Sequence, residues 1–281
     1  GAATLIGDTT AIMLGSALDL SFLEFFWYQG KPSIFFAVEL GAVLSAFILM
    51  FIFRKENGKI EGFNEKTKVT DYVPTVLLVS ALVLLILASL IPNKPDITNG
   101  LICCALLVVG ITYKTVKERN LKSIVPVLKG IDFETIFILL GLFLMIGGIS
   151  EQGVIDKVAT FFAEIGGNNI FLLYTVIVWA SVLISAFIDN IPYVATMIPV
   201  IAGISSSLGI DPTPLYFGLL SGATLGGNCT PIGASANITG IGILRRNGYE
   251  VKNKDFFRIG IPFTLAAIVP AYIYIWLVYG I

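Results

Sequence analysis

Eight apolar segments separated by charged gaps restrict this chain to α-helices packed in a membrane. Hydrophobic residues make up 56% of the 281 residues and charged residues only 13%, so a water-soluble domain of this length could not cover its own surface. Most of the segments are long enough for a membrane-spanning helix. They cover residues 32–53, 72–91, 98–113, 131–150, 170–188, 192–204, 214–244 and 257–280. The sequence therefore predicts an all-α polytopic membrane protein in contact with the lipid bilayer.

Lysine and arginine are distributed unevenly among the gaps between these segments. Gaps 54–71, 114–130 and 245–258 carry five each, whereas the gaps between them carry one or none. The positive-inside rule then places the three basic gaps in the cytoplasm and the others outside. We expect a multi-pass protein of the cell (inner) membrane.

A motif near the start of the chain recurs 226 positions later. Residues 1–12 read GAATLIGDTTAI and residues 227–238 read GNCTPIGASANI. Paired Gly-rich stretches among apolar runs are typical of the interrupted helices that form the binding centre of secondary transporters. The topology makes the first copy run outward and the second inward, so the repeat is inverted. The identical positions are Gly1, Thr4, Ile6, Gly7 and Ile12 in the first copy and Gly227, Thr230, Ile232, Gly233 and Ile238 in the second.

The inverted repeat defines the expected domains. Residues 1–53 are the end of the first repeat, 54–71 a cytoplasmic linker and 72–281 the second repeat. Because the first copy starts at the first residue, we expect the chain to be an N-terminally truncated fragment that begins inside a repeat. Within the second repeat we expect a re-entrant hairpin at about 170–204, an interrupted helix at about 214–244 and a last helix at about 257–280.

The second copy contains the residues that interrupt a helix. Gly226 and Gly227 permit backbone conformations that other residues resist, and Pro231 cannot donate a helical hydrogen bond. A break deep in the bilayer frees carbonyl groups for a cation and exposes N–H groups, at the start of a half-helix, for an anion. The alternative interpretation is close helix packing by small residues.

Asp189 and Asn190 lie in the middle of about 35 otherwise apolar residues, where polar side chains are costly unless they bind something. Both flanking gaps are assigned to the outside and the second arm is short for a span, which favours a re-entrant hairpin with these residues at its tip. The alternative is a polar surface turn between two full spans. Ser185 lies four residues before Asp189, on the same face if the helix continues.

Three acidic residues are candidate proton carriers. They are Asp189, Asp8 in the first copy of the motif, and Glu39 in the first complete apolar segment. Oxygen donors suit a hard cation such as Na⁺, and the candidate sodium ligands are Ser185, Asn190 and Gly227. The chain has no histidine, which excludes imidazole bases and His-ligated zinc. No cofactor is expected other than Na⁺ or H⁺ as the coupling ion.

Residues 186–199, AFIDNIPYVATMIP, and residues 225–238 resemble the arsenite permease/NhaD antiporter branch of the ion transporter superfamily, which includes the P protein and citrate-transporter-like permeases. The resemblance implies an inverted-repeat secondary transporter fold, with a re-entrant hairpin and an interrupted transmembrane helix in each half. Relatives in that branch are often dimers, so a homodimer is retained as a partner.

The resemblance also implies a set of substrate- and ion-binding residues. Ala11 stands where the second copy has Asn237, so the two half-sites are not expected to be chemically equivalent. The implied residues are Ser185, Asp189 and Asn190 in the hairpin tip, Gly227, Asn228, Thr230, Ser235 and Asn237 in the second interrupted helix, and Thr4, Gly7 and Asp8 in the first.

The function expected is secondary active transport of a small inorganic or carboxylate anion, coupled to Na⁺ or H⁺. The alternative is an NhaD-type Na⁺/H⁺ antiporter in which Asp189 and Asp8 exchange the two cations. Two remote alternatives are a channel and an intramembrane enzyme using Asp8 with Asp189, but we expect no enzyme. A net charge of −1 without a long basic run makes nucleic acid an unexpected partner.

Overall fold

Helices form most of the chain in the computed structural model, which describes residues 1–56, 70–91, 95, 97–120, 124–130, 133–166 and 169–280. The described residues form twelve α-helices and one hairpin of two short strands. The helices are α1 Thr9–Ala17, α2 Ile34–Ile52, α3 Val73–Ser89, α4 Thr98–Glu118, α5 Ile124–Lys129, α6 Phe133–Glu151, α7 Val154–Gly166, α8 Ile170–Ser185, α9 Asn190–Leu208, α10 Thr213–Gly226, α11 Ser235–Arg246 and α12 Asn253–Tyr279. The chain divides into two compact units, residues 1–56 with 141–281 and residues 57–140.

Four described helices, α2, α4, α9 and α12, are long and apolar enough to cross a membrane. Helices α3 and α8 are shorter but also apolar. The prediction of an all-α polytopic membrane protein is confirmed.

Helices α2 and α12 pack with their backbones in contact. A Cβ atom at Gly41 would overlap the carbonyl group of Ala267, and the Ser45 hydroxyl donates a 3.0 Å hydrogen bond to the carbonyl oxygen of Phe263. Residue numbers rise along α2 as they fall along α12, so the two helices are antiparallel. Helix α2 follows the first copy of the motif and α12 follows the second, so the helices that follow the two copies run in opposite directions.

Helices α8 and α10 form the buried centre of the first unit. Glycines spaced four residues apart on α10 let its backbone approach α8: a Cβ at Gly222 would lie 2.6 Å from the carbonyl oxygen of Val178, and one at Gly226 would lie 2.7 Å from Cα of Val182. Small residues at such intervals permit close packing of membrane helices. This contact places the C-terminal end of α8 against the C-terminal end of α10.

A β-hairpin that was not predicted from the apolar segments precedes α2. Strand β1 (Trp27–Tyr28) pairs antiparallel with β2 (Lys31–Pro32). Gln29 and Gly30 between them have φ of 51° and 74°, as a two-residue hairpin turn requires. The Lys31 ammonium donates to the carbonyl oxygen of Val278 at 2.6 Å, so the hairpin is tied to the end of α12.

In the second unit, Asp71 joins the start of α3 to the end of α4. Its carboxylate accepts hydrogen bonds from the Lys117 ammonium at 2.7 Å and the Tyr113 hydroxyl at 3.2 Å. The bond from Lys117, followed by one from the backbone N–H of Val73, lowers the pKa of Asp71. Asp71, the last residue of gap 54–71, therefore lies beside Lys117 of gap 114–130, as the assignment of both basic gaps to one compartment requires.

Several helix boundaries differ from the expected ones. Helix α9 covers 190–208, whereas the second arm of the hairpin was expected at 192–204. The expectation that this arm is short for a span is wrong, because its 19 residues are long and apolar enough to cross a membrane. Helix α7 lies inside gap 151–169, because its apolar and charged residues alternate with a helical period and never form a long apolar run. Gap 54–71 lies mostly outside the described residues.

Candidate functional site

Both copies of the motif form a loop that is not α-helical in front of an α-helix, and we call these loops the first and second breaks. In the second copy, α10 ends at Gly226, a short 3₁₀ turn covers Gly227–Cys229, and α11 starts only at Ser235. The residue before α11, Ala234, has φ −147° and ψ 143°, and the equivalent Asp8 before α1 has φ −162° and ψ 159°. The predicted break in the second helix is therefore present, and the first copy has the matching backbone at its start.

The matching glycines occupy equivalent crowded positions in the two breaks. A Cβ at Gly7 would overlap the carbonyl oxygen of Gly1, and one at Gly233 would lie 2.5 Å from the carbonyl oxygen of Gly227. Gly7 donates its N–H to the carbonyl of Thr4, as Gly233 does to that of Thr230. Residues that are identical in the two copies, Gly1 with Gly7 and Gly227 with Gly233, are thus the ones whose backbones come into contact within each loop.

The side chains, in contrast, differ between the two breaks. The Asn237 amide donates 3.0 Å hydrogen bonds to the carbonyl oxygens of both Gly227 and Thr230. Ala11, which occupies the equivalent position in the first break, is fully buried and has no side-chain donor to offer the carbonyls of Gly1 and Thr4. The second break is closed by an amide, whereas the first is not.

Replacing Asn237 with alanine is expected to destabilise the protein by about 2 kcal/mol, because two backbone acceptors lose their side-chain donor. Asn247→Ala is a matched control, since the Asn247 amide makes one exposed bond to the carbonyl of Ile243 at the end of α11. Denaturant unfolding in detergent measures both losses. Equal losses in the two variants would show that Asn237 does not hold the break.

The hairpin tip between α8 and α9 contacts both breaks. The Asn190 amide donates to Oδ2 of Asp8 at 2.9 Å, and the Ser235 hydroxyl donates to Oδ2 of Asp189 at 3.4 Å. Consecutive residues of the tip therefore connect it to the start of α1 and to the start of α11.

Asp8 makes more contacts than any other acidic residue of the motifs. Its carboxylate accepts from the backbone N–H of Thr9 at 2.7 Å and the Thr10 hydroxyl at 3.1 Å, besides the Asn190 amide. The Thr10 hydroxyl in turn lies 3.3 Å from that of Thr224 on α10. Asp8 thus connects the first break to the hairpin tip directly and to α10 through Thr10.

Thr10 and Thr224 were absent from the predicted set of binding residues. A signal for Thr10 was present, since Asp8-Thr9-Thr10 aligns with Ala234-Ser235-Ala236, and polar residues confined to one copy indicate a difference in function. Thr224 carried no such signal, because its role depends on the packing of α10 against α1.

The proposed geometry of Ser185 is corrected by the structure. Helix α8 ends at Ser185, so Asp189 does not lie one turn further along the same helix. The Ser185 hydroxyl is fully buried and donates to the carbonyl oxygen of Ala223 on α10. Ser185 therefore fixes the end of α8 against α10.

The remaining predicted residues are less closely connected to Asp8. Asp189 is exposed in this chain and caps α9 by accepting from the N–H of Ile191 at 3.0 Å. Asn228 is half-buried, and its carbonyl oxygen faces Gly260 of α12. Glu39 is exposed on α2.

Two of the candidate sodium ligands already have hydrogen-bond partners. The Gly227 carbonyl accepts from Asn237, and the Asn190 amide donates to Asp8.

The contacts of the hairpin tip bring the N-termini of α1, α9 and α11 together. Asp8 and Asp189 accept hydrogen bonds from the first turns of α1 and α9. Helix α11 follows Ala234 and has no side-chain cap, so its first N–H groups and the positive end of its dipole are left for another acceptor. The site thus combines a carboxylate at one helix start with an uncapped helix start nearby.

Comparison with known proteins gives a family and several relatives. A family described as citrate transporter, CitMHS, matches residues 1–222 and 102–281. An uncharacterised transporter of Mycobacterium tuberculosis is 33% identical over 99% of this chain and 64% of its own length. A 46 kDa membrane protein of Mycobacterium leprae is 32% identical over 99% of the chain and 65% of its own length.

The human P protein is 35% identical over 143 residues, which is 48% of this chain and 17% of that protein. The resemblance to the superfamily branch that contains the P protein and citrate-transporter-like permeases is confirmed. The chain spans 64% of the length of the M. tuberculosis relative. With a family match that extends from residue 1 to residue 281, the chain belongs to the CitMHS citrate transporter family.

Proposed function

We propose that this protein is a secondary active transporter that carries a carboxylate anion together with a coupling cation, Na⁺ or H⁺. The observation that supports this most strongly is the hairpin tip, whose consecutive residues Asp189 and Asn190 contact the two interrupted helices. A tip that connects two inverted halves lies where one ligand can contact both, as alternating access requires.

The coupling cation binds beside Asp8 in this proposal. The carboxylate of Asp8 is half-buried and contacts the Thr10 hydroxyl at 3.1 Å, and the Thr224 hydroxyl lies 3.3 Å from that of Thr10. The carbonyls of the first break receive no amide from Ala11, whereas Asn237 supplies one to the second break. A carboxylate with carbonyl and hydroxyl oxygens suits a hard cation or a proton.

The anion binds at the start of α11. This helix start has no side-chain cap, and the exposed Ser235 hydroxyl, whose 3.4 Å bond to Asp189 is long, can rotate to donate to an anion instead. Helix N-termini of this kind bind carboxylates. The citrate transporter description of the family supports a di- or tricarboxylate as cargo, and arsenite is the inorganic alternative.

Coupling between the two ligands follows from charge. A cation at Asp8 neutralises a carboxylate near the anion site and so raises the affinity for the anion. By linkage the anion raises the affinity for the cation equally. Transport follows if both ligands together favour the state in which one half moves against the other.

A second candidate is an Na⁺/H⁺ antiporter without an organic cargo. The observation that favours it is a pair of carboxylates at the hairpin tip. Asp189 is part of the tip, and Asp8 accepts a hydrogen bond from its Asn190. In this case Asp189 and Asp8 exchange Na⁺ and H⁺.

Orientation and assembly are part of the proposal. We place gaps 54–71, 114–130 and 245–258 in the cytoplasm of a cell with an inner membrane, and the basic residues at the ends of α2 and α12 lie together as this requires. A homodimer stays a prediction.

Uptake by the purified protein in proteoliposomes tests these alternatives. We expect labelled citrate to accumulate only with an inward Na⁺ or proton gradient, and accumulation to stop when that gradient is collapsed. Na⁺-driven proton movement without citrate accumulation would replace the first candidate by the antiporter. Equilibration of citrate without either gradient would contradict coupled transport and indicate a channel.

A further inference from the structure

A pocket outside the transport site lies between the C-terminal end of α2 and the first turns of α12. Its volume is about 440 Å³, and basic side chains from both helix ends contribute to it. The lining residues are Ile48, Phe51, Ile52, Arg54, Lys55, Arg258 and Pro262.

The charge of this pocket is strongly positive. Arg54, Lys55 and Arg258 line it, whereas the neighbouring acids Glu56 and Asp255 do not. The Arg54 guanidinium lies 4.2 Å from the centre of the Phe51 ring, which holds it at the mouth of the pocket. Among residues 1–56 and 169–280, no ion pair involves these three cations. They are therefore available to an external anion.

The lining changes from charged to apolar along the helix axes. Arg54 and Lys55 follow the last turn of α2, while Ile48 lies more than one turn deeper in that helix. Arg258 is in the second turn of α12, and Pro262 lies one turn deeper. Both helices are long and apolar enough to cross a membrane, so the charged end lies at headgroup depth and the apolar end at acyl-chain depth.

We propose that this pocket binds an anionic phospholipid, with its phosphate on Arg54, Lys55 and Arg258 and the start of an acyl chain against Ile48 and Pro262. Arginine forms paired hydrogen bonds to phosphate oxygens. Basic pockets between membrane helices on the cytoplasmic side suit the anionic lipids of that leaflet. A soluble phosphate compound would satisfy the cations but not the apolar part of the pocket.

Lipid retention by the purified protein in detergent tests the proposal. Phosphatidylglycerol, phosphatidylcholine with the same acyl chains, and glycerol phosphate are titrated separately and bound ligand is counted by native mass spectrometry. We expect phosphatidylglycerol to bind far more tightly than the other two. The triple variant R54Q/K55Q/R258Q should bind it roughly a hundredfold more weakly, from the contribution of each basic residue to anionic-lipid binding.

The double variant R245Q/R246Q is the matched control, because these arginines end α11 on the same gap but do not line the pocket. It should bind phosphatidylglycerol with little change. Equal retention of phosphatidylcholine, unchanged binding by the triple variant, or an equal loss in the control would overturn the proposal. Binding of glycerol phosphate as tight as that of the lipid would assign the pocket to a soluble phosphate instead.

Discussion

Gly233→Ala should abolish transport. A Cβ at this position would lie 2.5 Å from the carbonyl oxygen of Gly227 and 2.8 Å from that of Ala186. Both neighbours are backbone atoms, so neither can rotate away, and the loop would have to move off the end of α8. Overpacking of this kind costs about 1–3 kcal/mol, and the loop displaced here joins the two halves of the second interrupted helix.

Gly7→Ala is expected to have the same effect on the first break, where the carbonyl of Gly1 is the obstacle. Gly240→Ala is the control, because a Cβ at that position on α11 meets nothing within 4 Å. Gradient-driven uptake, corrected for the amount of folded protein, measures all three. Normal uptake by Gly233→Ala would mean that the tight break is not needed for transport.

Asp8→Asn should reduce gradient-driven uptake by roughly tenfold to a hundredfold, the range expected for loss of a charged hydrogen-bonding group. Asparagine keeps an acceptor for the N–H of Thr9, so α1 remains capped. The negative charge is lost, however, and with it the attraction for a cation. Uptake as a function of the cation concentration should show a weaker dependence.

Asp19→Asn controls for the loss of one negative charge. Asp19 is exposed beyond the end of α1 and has φ of 53°, a conformation that asparagine also adopts. It should leave uptake unchanged. If both variants behave alike, the charge of Asp8 has no special part in transport.

The sequence predicted the large features of this fold because they depend on local patterns. The predicted apolar segments lie close to the observed bounds of α2, α3, α4 and α12, since a membrane span requires a long apolar run. The break after Gly226 was legible from Gly226, Gly227 and Pro231, which disfavour a continuous helix. The opposite directions of α2 and α12 agree with the alternation of basic gaps, but their contact was not predicted.

Other features could not be predicted from long apolar runs, because they depend on packing or on other sequence patterns. Helix α7 is amphipathic, and the β-hairpin depends on a turn of only two residues, Gln29 and Gly30. The end of α8 at Ser185 could not be read from an apolar run that continues to residue 188. Thr224 faces Thr10 only because α10 packs against α1.

The contact between Asn190 and Asp8 is the part of the site that a charge exchange tests most directly. In the purified protein, gradient-driven citrate uptake is compared for Asp8→Asn, Asn190→Asp and the double variant. Asp8→Asn leaves two amides at this 2.9 Å contact, and Asn190→Asp leaves two carboxylates. The double variant restores one carboxylate and one amide, with their positions exchanged. We predict that the double variant recovers much of the uptake lost in both single variants, as residues in direct contact do. Losses that simply add would contradict the meeting of the hairpin tip with the first break as the centre of transport.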